Sequence, residues 1–155
     1  MSEPAKRILL DTTYLLPAMS FSVKGIPDDV VLRLIAKNYL IFVSSISLFE
    51  MEAVGSKYVL KGHLSGVDVI DGIKAIKLSP DLKIIDHNDE RVIKKAIELN
   101  RTLPDFIDCI IVATAVMYCS ALLTEDSRRI IPFLRPRRRR PIFPCLRYKE
   151  LQLQH

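Results

Sequence analysis

Four acidic residues from distant parts of the chain are the side chains best suited to chemistry. Asp11 and Asp126 each follow a short apolar run that is typical of a buried strand. Glu50 lies in the helix after another such run, and Asp108 opens an apolar helix. Because the carboxyl ends of parallel strands meet at one ligand-binding edge, we expect these acids to gather there. Their carboxylate oxygens suit a divalent metal ion.

Two of the acids also have an ordinary structural explanation. Asp11 precedes Thr12, so it could serve only as the N-cap of the next helix. The spacing from Ser47 to Glu50 fits a capping box, which could be the whole role of Glu50. One rival chemistry is disfavoured, because position 13 is Thr13, whereas haloacid-dehalogenase-type phosphatases carry a second aspartate there.

The other two acids differ in how far a structural role explains them. Asp105 is expected to cap the apolar helix and complement its dipole. Asp108 lies deeper, where a carboxylate is costly unless it is paired, bound to metal or at the solvent edge. Asp126 follows a strand in a loop, a common place for an acid. The neighbouring Thr124 could hydrogen-bond a carboxylate or a substrate phosphate.

The pattern of apolar residues predicts the elements that must position these acids. Apolar runs alternate with segments of helical periodicity, which implies a parallel, three-layer α/β sandwich. Strands are predicted at 7–11, 39–43, 82–85 and 121–124, with a further short strand around 142–143. Helices are predicted at 12–18, from 28 or 29 to 37, at 47–60 and 67–78, after 88–90, and from Pro104 to Met117.

The composition excludes several classes of protein. The chain has 155 residues, enough for one domain with a substantial core. No apolar segment follows Met1, and the longest apolar stretch, 109–123, is too short for a comfortable membrane span. The three cysteines form no CxxC pair, which disfavours a zinc site. We therefore expect a soluble, cytoplasmic protein with reduced thiols, not a membrane protein.

Positive charge is concentrated at the end of the chain. Residues 127–155 contain nine arginine or lysine residues and one acid, although the whole chain carries only +5. This asymmetry predicts a globular body at 1–131 and a basic, exposed arm at 132–155 that binds a polyanion, with nucleic acid favoured over membrane. The candidate RNA-binding residues are Arg128, Arg129, Arg135, Arg137, Arg138, Arg139 and Arg140.

Four segments together resemble the motifs of the PIN-domain family, the fold of metal-dependent ribonucleases that include VapC-type toxins. The opening motif is similar to Leu9–Thr13, and the second to Ile46–Met51, where a hydroxyl residue precedes the glutamate by three. The third is similar to Asp108–Ala115 and the fourth to Leu123–Asp126. Each segment is weakly specific alone, but the four occur in the family's order and spacing.

The resemblance implies a parallel sheet of four to five strands with the acids in one pocket. It also implies Mg²⁺ or Mn²⁺ as cofactor, single-stranded RNA as substrate, frequent homodimers, and an antitoxin protein as a candidate partner. Asp11 and Asp108 would bind the metal, Glu50 and Asp126 would complete its ligands directly or through water, and Thr13 and Thr124 would support them. The alternatives are a non-catalytic RNA-binding module or RNA-processing factor that uses the basic arm, and a DNA nuclease.

Overall fold

The computed structural model describes residues 4–153, and a parallel five-stranded sheet lies at its centre. The strands stand in the order β3-β2-β1-β4-β5, and every neighbouring pair is parallel. All carboxyl ends therefore lie at one edge of the sheet, and all amino ends at the other. The strands are β1 Arg7–Leu10, β2 Leu40–Ser44, β3 Leu82–Ile85, β4 Ala121–Leu123 and β5 Cys145–Leu146.

Helices cover both faces of the sheet, which gives the three layers that the sequence predicts. A 3₁₀ helix, Thr12–Met19, follows β1 directly. The α-helices are α1 Val30–Ala36, α2 Ser45–Leu60, α3 Gly66–Leu78, α4 Glu90–Leu99, α5 Phe106–Tyr118, α6 Ile130–Leu134 and α7 Tyr148–Leu153.

Alternate residues of the strands point into two separate cores. In β1, Ile8 and Leu10 pack with the 3₁₀ helix, α1, α3 and α7 on one face. Leu9 packs with α4, α5 and α6 on the other face. This period of two is the strand geometry that places both faces of a parallel sheet out of water. The apolar helix α5 is buried along most of its length, as its composition predicts.

Several predicted elements differ from the structure in their bounds or type. The helix expected from about Ser47 begins at Ser45, because the Ser44 hydroxyl accepts from Ile46 N at 3.2 Å and caps it. The helix expected from Pro104 begins at Phe106, since the Asp105 carboxylate caps it. The segment expected as an ordinary helix at 12–18 is a 3₁₀ helix of eight residues.

The C-terminal segment is only partly the exposed arm that its composition suggests. The strand predicted around 142–143 is wrong, because the fifth strand lies at Cys145–Leu146, where it pairs with β4. Residues 137–142 are exposed, whereas Leu134, Cys145 and Leu151 are buried against the body. The domain boundary at 131/132 remains a prediction, although the sheet continues beyond it. Within residues 4–153, no helix is long and apolar enough to cross a membrane.

Candidate active site

Asp11 lies at the carboxyl end of the central strand β1, and two hydrogen bonds fix its carboxylate. Thr12 N donates to Oδ1 at 2.8 Å, so the capping role considered above is present. Thr124 Oγ1, fully buried at the end of β4, donates to Oδ2 at 2.7 Å. Burial raises the pKa of Asp11 even though both hydrogen bonds oppose the shift. The cap therefore accounts for one oxygen of Asp11, and the Thr124 hydroxyl holds the other.

Glu50 approaches the same edge from α2. Thr12 Oγ1 donates to Glu50 Oε1 at 2.7 Å, which links this acid to the residue after Asp11. Burial raises the pKa of Glu50, and the nearby carboxylates add to the shift. The capping-box explanation is wrong, because Ser44 and not Ser47 caps the helix. Within the described chain, the buried Ser47 hydroxyl has no hydrogen-bond partner.

Asp108 lies in the first turn of α5 and is 7% exposed. Its backbone N–H donates to Asp105 Oδ1 at 3.0 Å, which confirms Asp105 as the cap of this helix. Burial, followed by repulsion from Asp105, raises the pKa of Asp108 to about 7. Among the described residues, the buried Oδ2 of Asp108 accepts no hydrogen bond. Such an atom is costly in a folded protein, which makes Asp108 a candidate for a functional role.

Asp126 is held in the loop after β4 by backbone groups. Its N–H donates to Thr124 Oγ1 at 3.1 Å, and its Oδ1 accepts from the N–H groups of Arg128 and Arg129, both at 3.0 Å. Thr124 therefore contacts both Asp11 and Asp126, so one buried hydroxyl connects the acids that follow two neighbouring strands. Oδ2 of Asp126 takes no part in these bonds and lies 3.7 Å from Arg129 Nε.

The Arg129 guanidinium lies among these acids. Its Nε is 3.1 Å from Asp108 Oδ2 and 3.7 Å from Asp126 Oδ2, and its Nη1 is 3.2 Å from Asp105 Oδ2. The contact with Asp108 has the distance of an ion pair but not the alignment of a hydrogen bond, which is why that oxygen remains without one. The pKa of the Arg129 guanidinium is raised, and the negative charge of Asp108 makes the largest contribution.

The four predicted acids line one open cleft of about 290 Å³ together with Arg129. Thr12, Thr13, Leu16, Val54 and Glu125 complete its lining. A larger cavity of about 470 Å³ lies between the 3₁₀ helix, α1 and α3, but its walls are mainly apolar and it contains none of the four acids. The cleft, although smaller, is therefore the candidate site.

A divalent ion suits the donors that the cleft offers. As the side chains stand, no three acidic, histidine or cysteine residues within 4–153 converge as a metal-ligating group. The donors are nevertheless all oxygens, the ligands of hard cations. The buried Asp108 Oδ2 accepts no hydrogen bond within the described chain and could bind such a cation. Arg129, a cation, currently occupies the space between the carboxylates. The cleft thus binds positive charge at the position where the sequence predicts a metal.

Two residues of this region are missing from the sequence prediction. In the sequence Thr12 is only the first residue of a predicted helix, but in the structure its hydroxyl donates a hydrogen bond to Glu50. Glu125 precedes Asp126 and accepts from the Tyr14 hydroxyl and from Tyr148 N at 3.0 Å. The signal for both was adjacency to a predicted acid at a strand end. Their partners, however, lie far away in the sequence and could not be inferred from it.

The structure separates the candidate RNA-binding arginines into different locations. Arg128 and Arg129 adjoin the cleft, whereas Arg135 forms a bidentate ion pair with Glu150 at 2.7 and 3.0 Å. The exposed residues 137–140 belong to the loop that enters β5 from its amino end, since Pro144 O accepts from Leu122 N at 3.0 Å. They therefore lie at the opposite edge of the sheet from the acids, about 10 Å or more away along β4.

Comparison with known proteins assigns the chain to one family. The PIN domain family model matches residues 8–134, so the chain belongs to the PIN domain family. No curated protein sequence matches it.

Solved structures agree with this assignment. A chain in the VapBC2 complex of Rickettsia felis, bound to a promoter DNA fragment, shares 23% identity at TM-score 0.59 over 91% of this chain and 98% of its own. VapC20 of Mycobacterium tuberculosis, a toxin that cleaves the sarcin-ricin loop, shares 17% identity at TM-score 0.53 over 74% and 86%. A chain of FitAB bound to DNA shares 17% identity at TM-score 0.54 over 90% and 94%. At these identities the likeness establishes a shared fold.

Proposed function

We propose that this PIN-domain protein is a metal-dependent endoribonuclease that hydrolyses phosphodiester bonds of single-stranded RNA. The observation that carries the proposal is the convergence of four acids from separate elements on one cleft, with the buried Asp108 Oδ2 lacking a hydrogen bond. A binding module for RNA would gain nothing from a cluster of carboxylates, because they repel phosphate. A nuclease requires them to hold a cation.

Asp11 and Asp108 would bind Mg²⁺ or Mn²⁺, and Glu50 and Asp126 would complete the ligands directly or through water. The bound ion would acidify a water molecule and neutralise charge developing on the scissile phosphate. Thr124 would fix the orientation of Asp11 and Asp126, which it already contacts. Thr13, which lines the cleft, would support the substrate side.

The biological setting of this activity is proposed from the fold neighbours. Their structures include a toxin–antitoxin complex, a VapBC complex bound to DNA, and one toxin that cleaves the sarcin-ricin loop. We infer that this chain acts in the cytoplasm as a toxin-like nuclease, with an antitoxin protein as its partner and a homodimer as its assembly. Induced expression is expected to arrest growth for the wild type and not for Asp108→Asn. Equal growth of both strains would favour a role in RNA processing.

Cleavage of a mixed pool of single-stranded RNA tests the reaction itself. We expect cutting with Mg²⁺ or Mn²⁺, none with EDTA, and loss of about 10²-fold or more in Asp11→Asn and Asp108→Asn. Asp71→Asn, which removes an exposed acid of α3, is the matched control and should cut normally. Tight RNA binding by the wild type without cutting under any metal would refute the enzyme proposal.

A non-catalytic RNA-binding role is the second candidate, and the arginine loop at 137–140 is the observation that favours it. Within the described chain, these four side chains are exposed and form no side-chain hydrogen bond or ion pair. They are thus available to phosphate, yet remote from the acids. A pure binder should hold RNA as well or better after Asp11→Asn, because one repelling charge is removed.

The location of this loop predicts that its contribution depends on the length of the RNA. Replacing all four arginines with glutamine should raise KM for an RNA of about forty nucleotides, but not for one of about six, which occupies only the cleft. For the long RNA, the dependence of log K on log salt should weaken by about 0.7 for each lost contact. A control with equal charge change replaces four exposed lysines with glutamine: Lys24, Lys74, Lys77 and Lys94.

A further inference from the structure

Arg129 is distinguished from the other arginines of the basic segment by its position inside the acid cluster. Its Nε and Nη1 lie 3.1–3.7 Å from oxygens of Asp105, Asp108 and Asp126. Exposed ion pairs usually join one cation to one acid and contribute little. Here one planar guanidinium contacts three acids, of which Asp108 is nearly buried, with a side chain 9% exposed.

The backbone of Arg129 is fixed, but its side chain has room to leave. Its N–H donates to Asp126 Oδ1 at 3.0 Å, and the residue immediately precedes α6. Its side chain is 56% exposed, so one side of the guanidinium faces solvent. Rotation about the side-chain bonds can therefore carry the charge from the acids to the mouth of the cleft without moving the fold.

Two cations cannot use these carboxylates at once. A divalent ion binds carboxylate oxygens at about 2.0–2.6 Å, whereas Arg129 Nε already lies 3.1 Å from Asp108 Oδ2. An ion at that oxygen would bring two like charges into near contact. Without any cation, however, Asp105, Asp108 and Asp126 would repel one another in a poorly solvated cleft. The cluster thus needs one cation at a time.

We propose that Arg129 is the internal counter-ion of the metal-free cluster, that a divalent ion displaces it, and that the displaced guanidinium binds a phosphate of the substrate. The inference rests on the proposed function, because it takes the acids to be the metal ligands. It assigns one arginine to two alternating partners of the same charge, carboxylate and phosphate. Arginine suits both, since its planar donors match the geometry of either group.

The direct test compares Mn²⁺ affinity, measured by electron paramagnetic resonance, in the wild type and Arg129→Gln. Removing a competing cation should tighten Mn²⁺ binding by about three- to tenfold. Binding of a non-cleavable single-stranded RNA to the Mn²⁺-loaded protein should weaken in the same variant. The control Arg101→Gln removes the same charge from an exposed side chain that forms no ion pair within the described chain. It should change Mn²⁺ affinity by less than twofold, an amount within the reach of exposed charges.

The outcomes separate this inference from the proposed function. If the wild type binds Mn²⁺ and Arg129→Gln binds it with equal or weaker affinity, the displacement is overturned but the metal site is not. No Mn²⁺ binding by the wild type overturns the metal site and the displacement together. A second measurement needs no variant: the Nε–H resonance of Arg129 should shift toward that of exposed arginines when Mg²⁺ saturates the native protein. A resonance that does not respond to Mg²⁺ also refutes the displacement.

Discussion

Replacing Asp108 with asparagine is expected to stabilise the metal-free protein at neutral pH while abolishing cleavage. The pKa of this carboxyl is about 7 in the folded protein, above 3.8 for an ordinary aspartate, mainly because it is buried. Between these values the unfolded chain releases a proton that the folded protein retains. Asp108 therefore reduces the free energy of unfolding as pH rises from about 4, and the reduction is complete above about pH 7.

The size of the effect follows from the shift in pKa. A pKa difference of one corresponds to about 1.4 kcal/mol. The difference between 3.8 and about 7 therefore limits the loss in free energy of unfolding to about 4 kcal/mol. Part of the shift is repulsion from Asp11, whose own pKa is also raised, so the two carboxyls do not contribute independently. We therefore expect Asp108→Asn to gain about 2–4 kcal/mol at pH 8 relative to its effect at pH 4.

Urea denaturation in EDTA, at both pH values, measures this difference directly. The contribution of the asparagine itself to packing is the same at both, so only the titration of Asp108 changes the comparison. Asp71→Asn, in which the replaced acid is exposed, is the control and should show no such gain. An equal effect of Asp108→Asn at pH 4 and pH 8 would refute the argument from burial.

Two further predictions concern residues that support the site and the fold. Thr124→Val removes the hydroxyl that joins Asp11 and Asp126. Cleavage should fall by about 10- to 100-fold while the urea midpoint changes little. A fall in the urea midpoint large enough to account for the lost activity would contradict this prediction. Gly72→Ala places a methyl group 2.7 Å from a backbone oxygen of the 3₁₀ helix and should cost about 1–3 kcal/mol. Gly66→Ala meets no atom within 4 Å and should be neutral, and urea denaturation measures both variants.

The position of the acids was predictable because it depends on chain direction alone. In a parallel sheet, any residue that follows a strand lies at the carboxyl edge. Asp11 and Asp126 could therefore be placed at the same edge without knowledge of the strand order. The order β3-β2-β1-β4-β5 itself depends on packing between distant segments. No local pattern indicates that β1 lies between β2 and β4, which is the reason Asp11 and Asp126 become neighbours.

The start of α2 could not be located from residue types alone, because serine is a favoured helix cap and three serines, Ser44, Ser45 and Ser47, lie close together there. Ser44 and Ser47 are equally buried, and it is the Ser44 hydroxyl that accepts from Ile46 N and caps the helix. This choice begins α2 earlier than predicted and removes the capping-box explanation of Glu50. A small error at a helix boundary therefore left the role of a functional residue open.

The arginines show the same limit more strongly, because composition treats them as one basic region. Arg135 is paired with Glu150, and Arg147 Nε lies 3.4 Å from Glu125, so these two hold the C-terminal strand and helix to the body. Arg129 balances the acids of the cleft. The exposed loop at 137–140, like Arg128, forms no ion pair within residues 4–153, so its charge is free for a polyanion. Neutralising each group should thus affect a different quantity: stability for the paired arginines, metal affinity for Arg129, and salt-dependent RNA affinity for the loop.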